Sequence, residues 1–385
     1  MTIPATLADV VRAIESLYPP RWAEPGDPIG LVVGDPSAEV RKIWFAVDAV
    51  QSVVDEAVKA DADLLVVHHP LLFRAVSSVA ATTPKGRVIH DLISHRVGLY
   101  VAHTNADSPP DGVSESMALA LGLTDLEPLD PDGADPLDKI ATFVPHPDAQ
   151  RLVDALAAAG AGQIGDYDRC AFLTPGEGTY RPGAAAIPTI GSPGEIEVVD
   201  EARVEMVMAR HLRGAVVRAL RAAHPYEEPA FDVFELAAWS VDRGTGRVGL
   251  LSEPVSLREF SESVAAALPP TGVGARVSGD LDRKVQTVAV VGGSGDFMLD
   301  AARLRGVDVY VTSDLRHHPA SEFREYADAP ALVDVPHWSA EWTWLPVAQR
   351  ALTRALAESG RTIESEVSRI CTDPWNYRAT GGATQ

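Results

Sequence analysis

Short runs of apolar residues alternate along this chain with stretches whose apolar positions recur every three or four residues. The runs at 42–49 (KIWFAVDA), 63–69 (DLLVVHH), 97–103 (VGLYVAH), 285–293 (VQTVAVVGG), 307–314 (VDVYVTSD) and 330–337 (PALVDVPH) are rich in Val, Ile and Leu without strict alternation. That pattern predicts strands covered on both faces. Residues 52–62 and 298–306 read as the helices between them. At the start, Leu7, Val10, Val11, Ile14 and Leu17 share one helical face, and Pro19-Pro20 ends the helix. Alternating β and α elements predict the α/β class, with a layered, mainly parallel sheet core.

The pattern changes around 127–139 (EPLDPDGADPLDK), where Pro, Asp and Gly mark a linker. A second set follows: strand 141–145, helix 147–160, strand 202–208, helix 211–224 and strand 229–236. This is the pattern of a ferredoxin-like α+β domain. The stretch 174–194, rich in Gly and Pro, reads as a long loop within it, and 244–254 returns to the first pattern. The expected organisation is a core built from 1–137 and 239–385, interrupted by an inserted domain at 138–238. A chain of 385 residues exceeds what one hydrophobic core usually serves, which agrees.

Charge narrows the partners. With 54 acidic against 33 basic residues the net charge is −21, which argues against nucleic acid and anionic membrane surfaces. No segment is apolar for the roughly 20 residues a membrane span needs. Asp9 and Glu15 interrupt the N-terminal apolar face, so it is not a signal peptide. Cys170 and Cys371 have no partner nearby in sequence and fit a reducing compartment. A soluble, cytoplasmic protein is expected. An anionic substrate would need metal ions to reverse the local sign.

Three predicted strand ends carry ligand-type side chains. His68-His69-Pro70 follows the run at 63–67, and adjacent imidazoles leave an extended chain in different directions. The run at 97–101 ends in Ala102-His103-Thr104-Asn105-Ala106-Asp107, where Asp107 suits a divalent ion and His103 a proton-transfer role. After the run at 330–335, His337 and Glu341 stand four residues apart, on one face of a helix. Taken alone, the first reads more readily as a polar strand end with solvated histidines, the second as a turn organised by Asp107, and the third equally as an exposed helical pair. Together they place five ligands where α/β sheets collect their ligands. Five exceed what one catalytic zinc uses and suit two neighbouring ions, of zinc, iron, manganese, cobalt or nickel.

Two further strand ends are of interest. Gly292-Gly293-Ser294-Gly295 joins a strand to a helix, and its N–H groups suit a phosphate as well as a plain turn. In Thr312-Ser313-Asp314-Leu315-Arg316-His317-His318, Asp314 reads as a helix cap or, with Gly293 and Ser294, a substrate contact. His318 is a candidate general acid or base. His224-Pro225-Tyr226-Glu227-Glu228-Pro229 lies in the predicted insertion and reads as structural or interfacial.

Taken together, these segments resemble the NGG-interacting-factor-three-like family of dinuclear metal proteins, often labelled GTP cyclohydrolase 1 type 2 homologs. The resemblance spans nearly the whole chain and rests on His68-His69-Pro70, Ala102–Asp107, His337–Glu341, Gly292–Gly295 and Thr312–His318. It implies two divalent metal ions per subunit on His68, His69, Asp107, His337 and Glu341, with Glu341 bridging. It also implies a toroidal homohexamer and an insertion similar to the CutA and PII type. Gly26-Asp27-Pro28-Ile29 stands where the family often has Trp-Asp-Asn, and Ser313 replaces a usual Gly. The activity expected is metal-dependent hydrolysis of a nucleotide or other small polar substrate. The alternative is a non-catalytic metal-binding or regulatory ring that takes a small effector.

Overall fold

Strand Leu64–Val67 carries four consecutive buried side chains, as a strand covered on both faces must. In the computed structural model, which describes residues 4–379, it is the middle of a five-stranded sheet. The order is Glu364–Val367, Lys42–Ala46, Leu64–Val67, Gly98–Val101, Gly30–Val33. The first four strands are parallel, and Gly30–Val33 closes one edge antiparallel.

The two-residue period of a strand decides which core each side chain joins. Ile43, Phe45, Leu64 and Val66 pack under the helices Leu7–Leu17 and Leu345–Glu358. Trp44, Leu65, Val67 and Leu99 face the helices Gln51–Lys59 and Pro84–Ser94 on the other side. The first helix starts where the sequence predicts. Thr6 accepts from the Asp9 N–H and Asp9 accepts from the Thr6 N–H, a reciprocal cap that satisfies two otherwise orphaned donors.

The predicted core divides into two sheets. The second has six strands in the order Arg276–Ser278, Ala331–Asp334, Val309–Ser313, Lys284–Ser294, Ser240–Ser256, Thr124–Gly133. Ala331–Asp334, Val309–Ser313 and Lys284–Ser294 are mutually parallel, while Arg276–Ser278 and Ser240–Ser256 pair antiparallel onto them. Its faces are covered by helix Leu257–Ala267 on one side and helix Leu299–Arg305 on the other.

Residues Gly133–Val241 form a compact unit of their own, distinct from the unit made by the residues up to Asp132 and from Asp242 onward. Its sheet is antiparallel, in the order Phe231–Glu235, Leu137–Pro145, Glu197–Ala209, Phe172–Tyr180. The helices Ala149–Ala158 and Arg213–Ala223 bury Leu152, Leu156, Val216 and Leu220 with this unit's core. The arrangement is ferredoxin-like. It corrects one expectation: residues 174–180, read as loop, lie in strand Phe172–Tyr180. Pro175, Gly176 and Gly178 hide that strand from any propensity argument. Its register with Glu197–Ala209 supplies the order instead.

Cys170 and Cys371 are free thiols. Among the described residues, no helix is long and apolar enough to cross a membrane.

A candidate metal centre at the strand ends

Each predicted ligand leaves the carboxyl end of a parallel strand. His68 and His69 follow Leu64–Val67, and His103 follows Gly98–Val101 through Ala102. Asp107 closes the short helix Thr104–Asp107. Past Ala331–Asp334, helix His337–Trp342 carries His337 and Glu341 on adjacent turns.

These side chains converge. His68 Nε2 lies 3.5 Å from both Asp107 Oδ1 and Glu341 Oε1. Glu341 Oε2 is 2.8 Å from His69 Nε2, and Glu341 Oε1 is 2.8 Å from His337 Nε2. His69 and His337 approach within 3.2 Å through their Nε2 atoms. The His103 ring stands 5.1 Å from that of His68 and 5.8 Å from that of His69. His68, His69 and His103 form one group whose ligand atoms lie within 4.8 Å of one another, and His69, His337 and Glu341 form another. His69 belongs to both, and Glu341 is 3% exposed at the centre.

Sequence reasoning missed the acceptors behind the imidazoles. The Nδ1–H of His68 donates to the Ala102 carbonyl at 2.9 Å, and that of His69 to Asp48 at 2.7 Å. His337 donates to Asp314 at 2.6 Å, and His103 to Asp27 at 2.9 Å. With every Nδ1 engaged, each Nε2 is the ring atom turned inward, to hold a proton or, once that proton is displaced, a metal. Asp48 lies just past strand Lys42–Ala46, so the strand-end logic could have found it. Asp27 sits in the Gly26–Ile29 segment that departs from the family pattern, and it also accepts from the Thr104 N–H and hydroxyl.

The remaining predicted residues occupy different places. Asp314 orients His337 and does not cap the next helix, which begins at His317 with Arg316 as its cap. Gly293 presses on the centre: its φ is +73°, and an added Cβ would lie 2.5 Å from Glu341 Oε1. Ser294 is exposed and pairs with Ser313 at the end of its strand. His318 is not brought to the cluster. It is exposed on helix His317–Phe323 with its ring 5.2 Å from His317, and it belongs to neither converging group.

The electrostatics follow from the packing. Burial by itself would lower His69 and His337, but Glu341 outweighs it, with Asp48 and Asp314 adding, and both are held well above the ordinary imidazole range. Burial likewise opposes the charge on Glu341, yet His69, His68 and His337 hold its carboxyl well below the usual range. Burial pushes Asp107 up to about 6. His103 is lowered, by burial first and then by His68.

The donor set fits a metal. Glu341 Oε2 is buried and makes no hydrogen bond of acceptable geometry. The two inward-facing imidazole nitrogens, 3.2 Å apart, need a proton on one of them or a metal beside both. Mixed imidazole and carboxylate donors suit a borderline divalent ion better than calcium. Beside the cluster opens a cavity of about 770 Å³, lined by His69, His103 and His337 and, beyond them, by Arg276, Trp375 and Arg378.

Comparison with known proteins places the chain among relatives. The family model described as Duf34/NIF3 (NGG1p interacting factor 3) matches residues 5–374. A Mycobacterium tuberculosis protein called GTP cyclohydrolase 1 type 2 homolog is 47% identical, covering 98% of this chain and 99% of its own length. A Bacillus subtilis protein of the same name is 39% identical over 81% of this chain and 83% of its own. Among solved structures, a Bacillus cereus protein related to NIF3 is 34% identical with a TM-score of 0.79, covering 98% of this chain and all of its own. A Staphylococcus aureus protein is 27% identical with a TM-score of 0.81, covering 97% of this chain and 99% of its own.

Proposed function

The chain belongs to the Duf34/NIF3 family, and from that premise we propose that it hydrolyses a nucleotide or other small polar substrate at two divalent cations held by His68, His69, Asp107, His337 and Glu341. The observation that carries the reading is the convergence of imidazole Nε2 atoms on one buried carboxylate, each imidazole fixed through Nδ1. A divalent cation in such a donor set supplies Lewis acidity and makes water acidic enough to ionise near neutral pH.

The chain's own groups account for the rest. His103 is held neutral by burial and by its imidazole neighbours, so it accepts a proton, and Asp27 fixes its ring while doing so. Arg378 lines the cavity, as does Arg276, which is paired with Asp334; the lining also carries Asp48, Asp314 and Asp373, so an anionic substrate would depend on the cations and on these guanidinium groups together. Trp375, 69% exposed on the same cavity, offers a face on which a base stacks. The proposal includes a self-assembled ring of six chains, checked by light scattering against six times 41.0 kDa.

The direct test is turnover of GTP and p-nitrophenyl phosphate by protein loaded with zinc, manganese, iron, cobalt or nickel, with metal counted by elemental analysis. Glu341→Ala is expected to lose metal and turnover together while keeping the wild-type circular dichroism spectrum. Tight metal binding without turnover of either substrate would replace hydrolysis with the non-catalytic, regulatory reading. Absence of bound metal would overturn both.

A further inference from the structure

The unit Gly133–Val241 holds a cavity of about 910 Å³, larger than the one beside the metal centre and built entirely from its own residues. One wall is the edge strand Phe172–Tyr180, and another is the segment Tyr226–Glu228 of the His224–Pro229 motif. A third side is closed by Pro182, Ala186, Pro188 and Thr189. Their loop is tied down by the Ile187 N–H on Glu227 at 3.0 Å and by the Thr189 hydroxyl on the Pro225 carbonyl.

The floor contains a charge without a countercharge. Glu201 lines the cavity and is 7% exposed. Its Oε1 accepts from the Tyr226 hydroxyl at 2.8 Å, whereas Oε2 meets no donor and no cation among the described residues. Oε2 lies against the backbone of Gly178, where a Cβ would stand 2.0 Å away, so the edge strand carries glycine where the carboxylate needs room. Oε2 is open to the cavity, so a carboxylate with one hydrogen bond presents its second oxygen to whatever enters, and an ammonium donor would meet it there.

The surroundings suit such a cation. Tyr180 and Tyr226 meet edge to face, with ring centroids 6.0 Å apart. The motif around Tyr226 holds it there: His224 Nε2–H donates to the Phe143 carbonyl at 2.9 Å, and its Nδ1 accepts the Tyr226 N–H at 3.1 Å. Arg203, the basic residue among the lining, is taken by Glu205, which also holds Lys139. Glu177, Glu201, Glu227 and Glu228 then face the space with Arg203, already paired with Glu205, as the basic residue in the lining. Aromatic faces beside buried carboxylate recognise ammonium groups through cation–π attraction and charge-assisted hydrogen bonds.

We propose that this cavity binds a small organic cation, a protonated or alkylated amine with an apolar body, whose ammonium group sits between Glu201 and the Tyr180–Tyr226 pair. The site lies within one unit and is independent of the metal reading.

The test is calorimetric titration of the intact, metal-loaded protein with 1,4-diaminobutane, n-butylammonium and tetramethylammonium, with 1-butanol as the neutral control. At least one cation is expected to bind where butanol does not. Glu201→Gln should weaken it at least tenfold, and Asp107→Asn at the metal centre should leave it unchanged. Hydrogen exchange should slow on binding in 172–180 and 224–230. If Glu201→Gln fails to keep the wild-type circular dichroism spectrum, the Glu177→Gln, Glu228→Gln double variant decides, with weakening of threefold or more expected. Equal binding of butanol, indifference to these variants, or loss of binding in Asp107→Asn would each overturn the proposal, as would titrations in which none of the cations binds.

Discussion

His69 and His337, 268 residues apart in sequence, bring their Nε2 atoms to 3.2 Å while each donates its Nδ1–H to a separate carboxylate, Asp48 and Asp314. The two rings are therefore fixed from behind by carboxylates outside the space between the nitrogens, while Glu341 meets both Nε2 atoms at 2.8 Å from within it.

Removing one of those carboxylates should loosen the ring without unfolding the protein. Asp314→Asn is expected to lower metal affinity about 10- to 100-fold, as loss of an outer partner of a metal histidine does. Asp48→Asn should act similarly through His69. Competition against a chelator of known affinity measures both, and unchanged affinity in both variants would remove these carboxylates from the site.

Gly293 and Gly306 allow backbone strain to be separated from contact. Their φ values are +73° and +72°, but a Cβ on Gly293 would strike Glu341 whereas one on Gly306 meets nothing within 4 Å. Gly293→Ala and Gly306→Ala should each cost about 1–2 kcal/mol for the left-handed backbone. Only Gly293→Ala should also lower bound metal, read by elemental analysis beside urea unfolding.

Metal affinity should rise with pH. Glu341 outweighs burial and lifts His69 and His337 above the ordinary imidazole value of 6.5, so the metal-free fold gains stability from their protons. That gain is complete below 6.5 and is lost as pH climbs through the raised values. A metal displaces the same protons, so its apparent affinity gains up to about tenfold per pH unit for each proton released, until those values are passed. Titrations in two buffers of different ionisation enthalpy count the protons. Release of none above pH 7 would show that the imidazoles are already neutral.

Leu65 is fully buried between Lys42–Ala46 and Gly98–Val101, in the strand that ends at His68. Leu65→Ala should cost about 2–5 kcal/mol, the range for a buried leucine that leaves a cavity. Urea unfolding of the metal-free protein checks it.

The strands, the helix starting at Leu7 and the strand–helix alternation within 141–236 were legible in the sequence because burial and secondary structure leave periodic marks over a few residues. His68, His69 and Asp107 could be read from strand ends, and His337 with Glu341 from helical spacing. Tertiary structure alone decided that the core splits into two sheets and that Pro175–Tyr180 continues a strand. It also decided that His318 lies exposed beside His317, outside the converging groups, and that Asp27, Asp48 and Asp314 stand behind the imidazoles. Those outcomes depend on which distant backbone or carboxylate arrives beside a residue. Such pairings are fixed by the closing of the whole fold, and a local pattern of apolar and polar positions holds no record of them.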